Sequence, residues 1–377
     1  MTERSERGGS RRDDRGGYGE RGDRGYRGGS GGGGGRSYRD GDRGYRGGSG
    51  YRGGSGGGRG YRGGSGGDRG YRDGERGRSR RVYDDEPRDG LLADLVGHLH
   101  ALDGRSYAAY KAIVGRYRAP AGWFLHIDRV QSDPYAPPTR IHVDVPTDLH
   151  GLELLDEADL LADVDRRLAV GDFLTRELHA GFRGTALSIA SPGQEILERS
   201  SIIVRPDETG EKPGWVLEVR ARLALPAQGR SIQGHEASRI VGRDLVRELE
   251  EAMDLTGERG DRLVRHVATL EDHRALTATV ARNGWVAFLA DGSVLPRRSG
   301  VSDDPLDGGV PLQAPESMAA TVELPHAGTV RGTVVEAGVN VIVGGGYHGK
   351  STLLSAIERG VYPHVPGDGR ELVATVP

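Results

Sequence analysis

Residues 341–352 read VIVGGGYHGKST, and Gly344, Gly349, Lys350 and Ser351 within them satisfy the spacing G-x4-G-K-[ST]. That spacing has a physical purpose. A glycine loop turns its peptide N–H groups toward phosphate, the lysine ammonium reaches the β- and γ-phosphates, and the hydroxyl joins the coordination sphere of Mg2+. With 64 glycines in 377 residues, a chance match has to be weighed, and lysine argues against it. The only lysines are Lys111, Lys212 and Lys350, in a chain whose ordinary cation is arginine. A compact ammonium fits between phosphate oxygens where a planar guanidinium does not. The flanks agree: NVIV, Asn340 to Val343, is an apolar run suited to a buried strand. KSTLLSAIERG then opens a helix with Leu353, Leu354 and Ile357 facing inward and Gly360 as its C-cap. The expected ATP-binding residues are Gly344, Gly345, Gly346, Tyr347, His348, Gly349, Lys350, Ser351 and Thr352. Ser351 is the expected metal ligand, and ATP and Mg2+ are the expected cofactors.

Beyond the loop, GGGYHGKSTLLSAIERGVYPHVPGDGRE, Gly344 to Glu371, closely resembles the ATPases of the ABC class, a soluble, non-transporter P-loop family. WVAFLADGSVLPRRSGVSDDPL (from Trp285), QAPESM (from Gln313) and IDRVQSDPYAPPTRIHVDVP (from Ile127) are similar to it too, so the resemblance spans roughly residues 90–377. It implies an N-terminal domain followed by an ABC-type nucleotide-binding domain. It also implies pairing of two nucleotide domains around ATP in the complete protein. A trypanosomal relative linked to RNA processing makes RNA a partner by analogy. The family further requires a Walker B aspartate and glutamate and a signature loop. Asp368, in the turn PGDGRE, is the only aspartate after Lys350. The chain therefore reads as truncated after the Walker A block. ELVATVP reads as one strand of an unfinished sheet, and hydrolysis is not expected of these residues alone. His326, in VELPHAG, lies where the fold stacks an aromatic on adenine, though a turn histidine is the plainer reading. Arg297 and Arg298 read as surface arginines within reach of phosphate or a second subunit.

Upstream, a helix is expected from Asp89, as N-cap, with Leu91, Leu92, Leu95, Val96, Leu99 and Leu102 on one face. A short helix follows over Tyr107–Tyr117. WFLHIDRV and RIHVDVP alternate as half-buried strands around a Pro-rich loop, and residues 156–180 read as helix. ALSIA, SIIVR and WVLEVRARLAL read as strands, and two long helices are expected near 236–253 and 261–282. The fold class is α/β, with a mixed α+β domain over 83–255 and a partial ABC-type P-loop domain over 256–377. His98 and His100 flank Leu99 and point to different sides of a helix, and His266 with His273, seven apart, lack a third ligand, so all four read as exposed or satisfied histidines. ELEEAMD, Glu248 to Asp254, reads as a solvated helix face, and GHEAS, from Gly234, as a helix start.

The first 82 residues differ in kind. GYRGGSG begins at Gly25, Gly44 and Gly60, YRGGSG recurs at Tyr51, and no aliphatic residue lies between Met1 and Val82. Residues 1–81 hold 21 Arg against 11 Asp plus Glu, a charge of +10. The whole chain carries −3, which leaves −13 for the rest. Such a segment cannot bury enough apolar surface to offset backbone ordering, about 1–2 kcal/mol per residue, and reads as disordered. Arginine beside glycine, with tyrosine at short intervals, resembles RGG-type segments that bind RNA: guanidinium groups neutralise phosphate, and phenol rings stack on unpaired bases. The candidate RNA contacts are Arg27, Arg46, Arg52, Arg62, Tyr26, Tyr45, Tyr51 and Tyr61. The bland reading is a solubilising or self-associating segment.

No cysteine is present, so disulfides and thiolate metal sites are excluded. No apolar run approaches the ~18 residues of a membrane span, and the charged N-terminus lacks an apolar signal core. A cytoplasmic protein is expected. The reading is an ATP-binding protein that couples Mg-ATP to RNA or RNA–protein remodelling; the alternative is an RNA-binding module with an idle nucleotide domain.

Overall fold

A computed structural model describes residues 88–208 and 214–376. The repeats and their eight candidate RNA contacts lie outside the described residues. The fold is mixed α+β, built on two sheets.

The larger sheet has seven strands: β1 (Arg88–Leu91), β2 (Gly115–Arg118), β3 (Phe124–Arg129), β4 (Thr139–Pro146), β5 (Leu187–Ser188), β6 (Ile202–Pro206) and β7 (Trp215–Leu223). The order is β1-β2-β3-β4-β7-β5, with β6 also paired to β7. Only β1 and β2 are parallel; the other pairs are antiparallel. The alternation read from the sequence sets its two faces. Leu125, Ile127, Ile141, Val143, Leu217, Val219 and Ala221 are buried, and their odd-numbered spacing puts them on one side. Arg116, Arg118, Arg140, Arg220 and Arg222 are exposed on the other. The buried face packs on α1 (Leu92–Ala101), α2 (Leu154–Glu157), α3 (Val164–Gly181), α4 (Gly234–Arg239) and α5 (Val246–Met253). A two-stranded ribbon, β8 (Ala227–Gln228) and β9 (Ser231–Ile232), lies beside them.

Several expected boundaries move. Asp89 is inside β1, not an N-cap; α1 starts after Leu91, whose N–H donates to Asp94 Oδ2 at 3.0 Å. Pairing of residues 88–91 with β2 outweighs the helical period that includes Leu91, which is left exposed. The helix expected over 107–117 ends as a 3-10 segment, Tyr107–Ile113, because Gly115 must pass close to β1. A Cβ there would lie 2.3 Å from Arg88 O. The helix expected over 156–180 is two helices, broken at Asp159 by a left-handed turn (φ 53°) and restarted by the Asp163 cap on Arg166 N–H at 2.9 Å. Between α4 and α5 the backbone widens into a π-helical turn, Ile240–Leu245. In the acidic run, Glu250, Glu251 and Asp254 are solvated, whereas Glu248 is buried against Arg247.

α6 (Gly257–Arg282) links the two halves. Leu263, Val267 and Leu270 belong to the first core, and Leu276 and Val280 to a second. His266, expected as exposed or satisfied, is buried and bonded to Asp172 at 3.1 Å. Asp172 also takes Arg176 and Arg199, each at 2.7 Å. Burial alone would raise this carboxyl, but the His266 hydrogen bond and the arginine charge hold it below its ordinary value.

The smaller sheet has the order β13-β14-β10-β15: β13 (Ala319–Leu324), β14 (Gly328–Glu336), β10 (Trp285–Ala290) and β15 (Val373–Thr375). A separate ribbon, β11 (Arg297–Ser299) and β12 (Ser302–Pro305), pairs alongside. Phe288, Ala290 and Ala374 meet α6, while Ala287, Leu289 and Val373 meet α7 (Lys350–Arg359). The sheet is thus held between two helices. ELVATVP does form a strand, β15, at its edge.

Candidate phosphate-binding site

The chain leaves β14 at Glu336 and runs without regular structure to the turn before Lys350. The strand expected over Asn340–Val343 does not form. Val341 is 76% exposed and Val343 82%. The physical reason is missing company: among the described residues no strand pairs with this run, and a buried parallel strand exists only between neighbours that bond its backbone and cover both faces.

The loop has the geometry its residue types predict. Gly344 (φ 152°) and Gly349 (φ 77°) hold backbone conformations that glycine tolerates, and Tyr347 is left-handed at φ 63°. His348 Nδ1 accepts the Gly345 N–H at 3.1 Å, which braces the bend. A side chain on Gly345 would meet the His348 ring at 3.1 Å. Gly349 is the residue before α7 and supplies no side-chain cap. The first turn-closing bond runs from Leu353 N–H to Gly349 C=O at 2.9 Å. The N–H groups of Lys350, Ser351 and Thr352 therefore precede the hydrogen-bond ladder, at the positive end of a ten-residue helix. Lys350 curls back over the loop; its Nζ donates to Gly344 C=O at 2.7 Å and to Gly345 C=O. Tyr347 and His348 are exposed on the rim. Unspent N–H groups and an ammonium on one bend suit a polyphosphate.

Behind the loop, α7 is held at its far end. Thr375 N–H donates to Gly360 C=O at 2.9 Å, and Thr375 Oγ1 to Ile357 C=O at 2.7 Å. His273 Nε2, from α6, reaches the same Gly360 carbonyl at 3.1 Å. Burial holds His273 neutral, with its pKa pushed down to about 4. Gly360 does follow the helix, but with right-handed φ of −63°, so it is no left-handed cap. Its lack of a Cβ matters for space, because one would lie 2.7 Å from Thr375 Oγ1. Of the three expected inward residues, Leu353 and Ile357 pack on the sheet, and Leu354 is 55% exposed; Ala356 takes the buried position. Arg359 pairs with Glu195 of the first half at 2.7 Å.

The weaker candidates resolve into structural roles. His326 lies in the β13–β14 turn and bonds Glu271 at 2.5 Å, as a turn histidine. Arg297 is no surface arginine: it is paired at 2.7 Å with Asp368, whose side chain is fully buried and also 2.8 Å from His364 Nδ1. Burial disfavours the Asp368 charge, yet His364 and Arg297 outweigh it and keep the carboxyl below its ordinary value. Arg298 pairs with Asp304 and Asp307 at the surface. Arg370, buried, donates Nε to Leu295 C=O at 3.0 Å, and burial pushes its pKa down to about 10. Sequence reasoning missed the Arg297–Asp368–His364 group, because its members lie 71 and 4 residues apart and no local period joins them.

Two family models match. Residues 92–255 match one described as ATPase of the ABC class N-terminal, and residues 259–377 match one described as the P-loop domain of the ABC ATPase. The boundary between them falls at the start of α6. No curated protein matches the chain. Among the described residues no helix is long and apolar enough to cross a membrane.

Proposed function

The chain belongs to the ATPases of the ABC class, a P-loop family of nucleotide binders, and we propose that Gly344–Thr352 is where it holds Mg-ATP. On binding, Lys350 would exchange the carbonyls of Gly344 and Gly345 for β- and γ-phosphate oxygens. The amides of Gly346 to Thr352 would donate to the remaining phosphate oxygens, and Ser351 Oγ would hold Mg2+. The observation that supports this most is the uncapped start of α7 beneath a curled lysine. Asp368 is paired with Arg297 and His364 and takes no part in this site. The direct test is ATP affinity of the full chain and of Lys350→Ala by calorimetry; equal affinities end the reading.

RNA is the partner proposed for residues 1–82, on the strength of their arginine, tyrosine and glycine repeats. Nucleotide binding would then bias RNA or RNA–protein contacts, with two nucleotide domains closing on ATP in the cytoplasm. Removing residues 1–82 should abolish RNA binding, and affinity in the full chain should fall steeply with salt. RNA affinity unaffected by the deletion rules the segment out as the contact.

A further inference from the structure

The solvent face of the larger sheet carries a His-x-Asp pair twice, as His126 and Asp128 on β3 and His142 and Asp144 on β4. Residues two apart share a face of a strand. The antiparallel register sets His126 directly opposite His142, and a bulge after Ile127 takes Asp128 out of the ladder. Each histidine meets the other strand's aspartate. His142 Nδ1 lies 2.9 Å from Asp128 Oδ2, and His126 Nε2 lies 3.3 Å from Asp144 Oδ2. The imidazoles stack with centroids 4.1 Å apart and planes within 11°.

Three features favour a cation over a simple polar cluster. Ligand atoms from His126, His142 and Asp144 all lie within 4.8 Å of one another. His126 Nε2 is shielded from solvent and has no hydrogen-bond partner, because its approach to Asp144 is not aligned as one. Asp144 is braced: Arg205, itself bonded to Glu218, holds Oδ1 at 2.9 Å and leaves Oδ2 toward the histidines. We propose that His126, His142 and Asp144 bind a divalent transition cation of the zinc class, with Asp128 orienting the His142 ring through its second nitrogen. Two imidazoles and one carboxylate select such an ion over Mg2+ or Ca2+, which take oxygen ligands. A carboxylate behind a ligating histidine is the usual way its tautomer and angle are fixed. Stacked rings aim their in-plane lone pairs side by side, so binding would turn the imidazoles apart until both nitrogens face one ion. The site is on the larger sheet and does not involve the phosphate loop.

The test uses the full chain, loaded with Zn2+, desalted and assayed for bound metal. Co2+ substitution serves as an absorption probe, and excess Mg2+ as competitor. The expected result is one Zn2+ at this site per chain, undisturbed by Mg2+, and a melting temperature raised by Zn2+. Asp144→Asn and the double variant His126→Gln/His142→Gln should lose the cobalt band and weaken Zn2+ affinity by at least tenfold. Asp128→Asn should weaken it by roughly tenfold. Each variant's metal-free circular dichroism reports that the sheet still forms. The surface pair His100 and His235, whose Nδ1 atoms lie 2.7 Å apart, is the competing source of signal; His100→Ala should leave the band unchanged. A wild-type chain that retains no Zn2+, a band that survives the double glutamine variant, or one that vanishes with His100→Ala overturns the proposal.

Discussion

β4 and the run Asn340–Val343 are alike as sequence and opposite as structure. Both are short and rich in Val and Ile. β4 sits between β3 and β7, with every residue from Thr139 to Pro146 in register with β7. Its Ile141, Val143 and Val145 are at most 2% exposed. Val341, Ile342 and Val343 have no strand beside them among the described residues and face solvent. Propensity is the same in the two places; neighbours are not. A strand is a property of the sheet that receives it, and the phosphate loop shows how far local chemistry goes without one. Its glycine conformations, its curled lysine and its helix start are all in place, because these depend only on residues 344–353.

That contrast yields graded expectations. The largest effect belongs to a group buried by long-range contact: Asp368→Ala strands Arg297 and His364, and should cost about 3–5 kcal/mol in urea unfolding. Leu125→Ala, on the buried face of the larger sheet, should cost about 3 kcal/mol. A loss under 1 kcal/mol at either position would mean that the site is not packed as described.

Acid comes next. His273 has its folded pKa depressed to about 4, so the unfolded chain binds the extra proton between about 6.5 and 4. Its neutral burial therefore contributes full stability above that window, which is lost as pH falls through it. The loss is on the order of 3 kcal/mol when complete. His273→Gln should flatten that part of the profile, and an unchanged slope would contradict it.

Lys350→Ala should weaken ATP binding by about 10- to 100-fold, the loss of roughly 1.5–3 kcal/mol of charge-assisted contact, and leave urea stability untouched. The smallest effect is Val343→Ala, within about 0.5 kcal/mol by the same urea assay, since its side chain is already in water. A loss above 2 kcal/mol there would show a buried strand after all.

What the sequence disclosed follows the same division. Alternation in WFLHIDRV, RIHVDVP and WVLEVRARL gave β3, β4 and β7, since a half-buried strand writes its two faces into every second residue. The glycine bend and the helix start at Lys350 were legible for a related reason: their geometry is local. Helix ends were harder. Leu91 satisfied a helical period yet pairs with Arg118, and the break at Asp159 rests on one left-handed residue and a cap four positions later. The buried polar groups, Asp172 with Arg199 and His266, and His273 with Gly360, join residues 27 to 94 positions apart. No pattern along the chain announces them.

α6 has a mechanical consequence. It contributes side chains to both cores, and its own His273 grips the carbonyl where the loop-bearing helix ends. A single helix of 26 residues, about 39 Å long, therefore supplies part of each core. Loosening one core withdraws support from the other, so heating should melt the two halves in one shared transition rather than two.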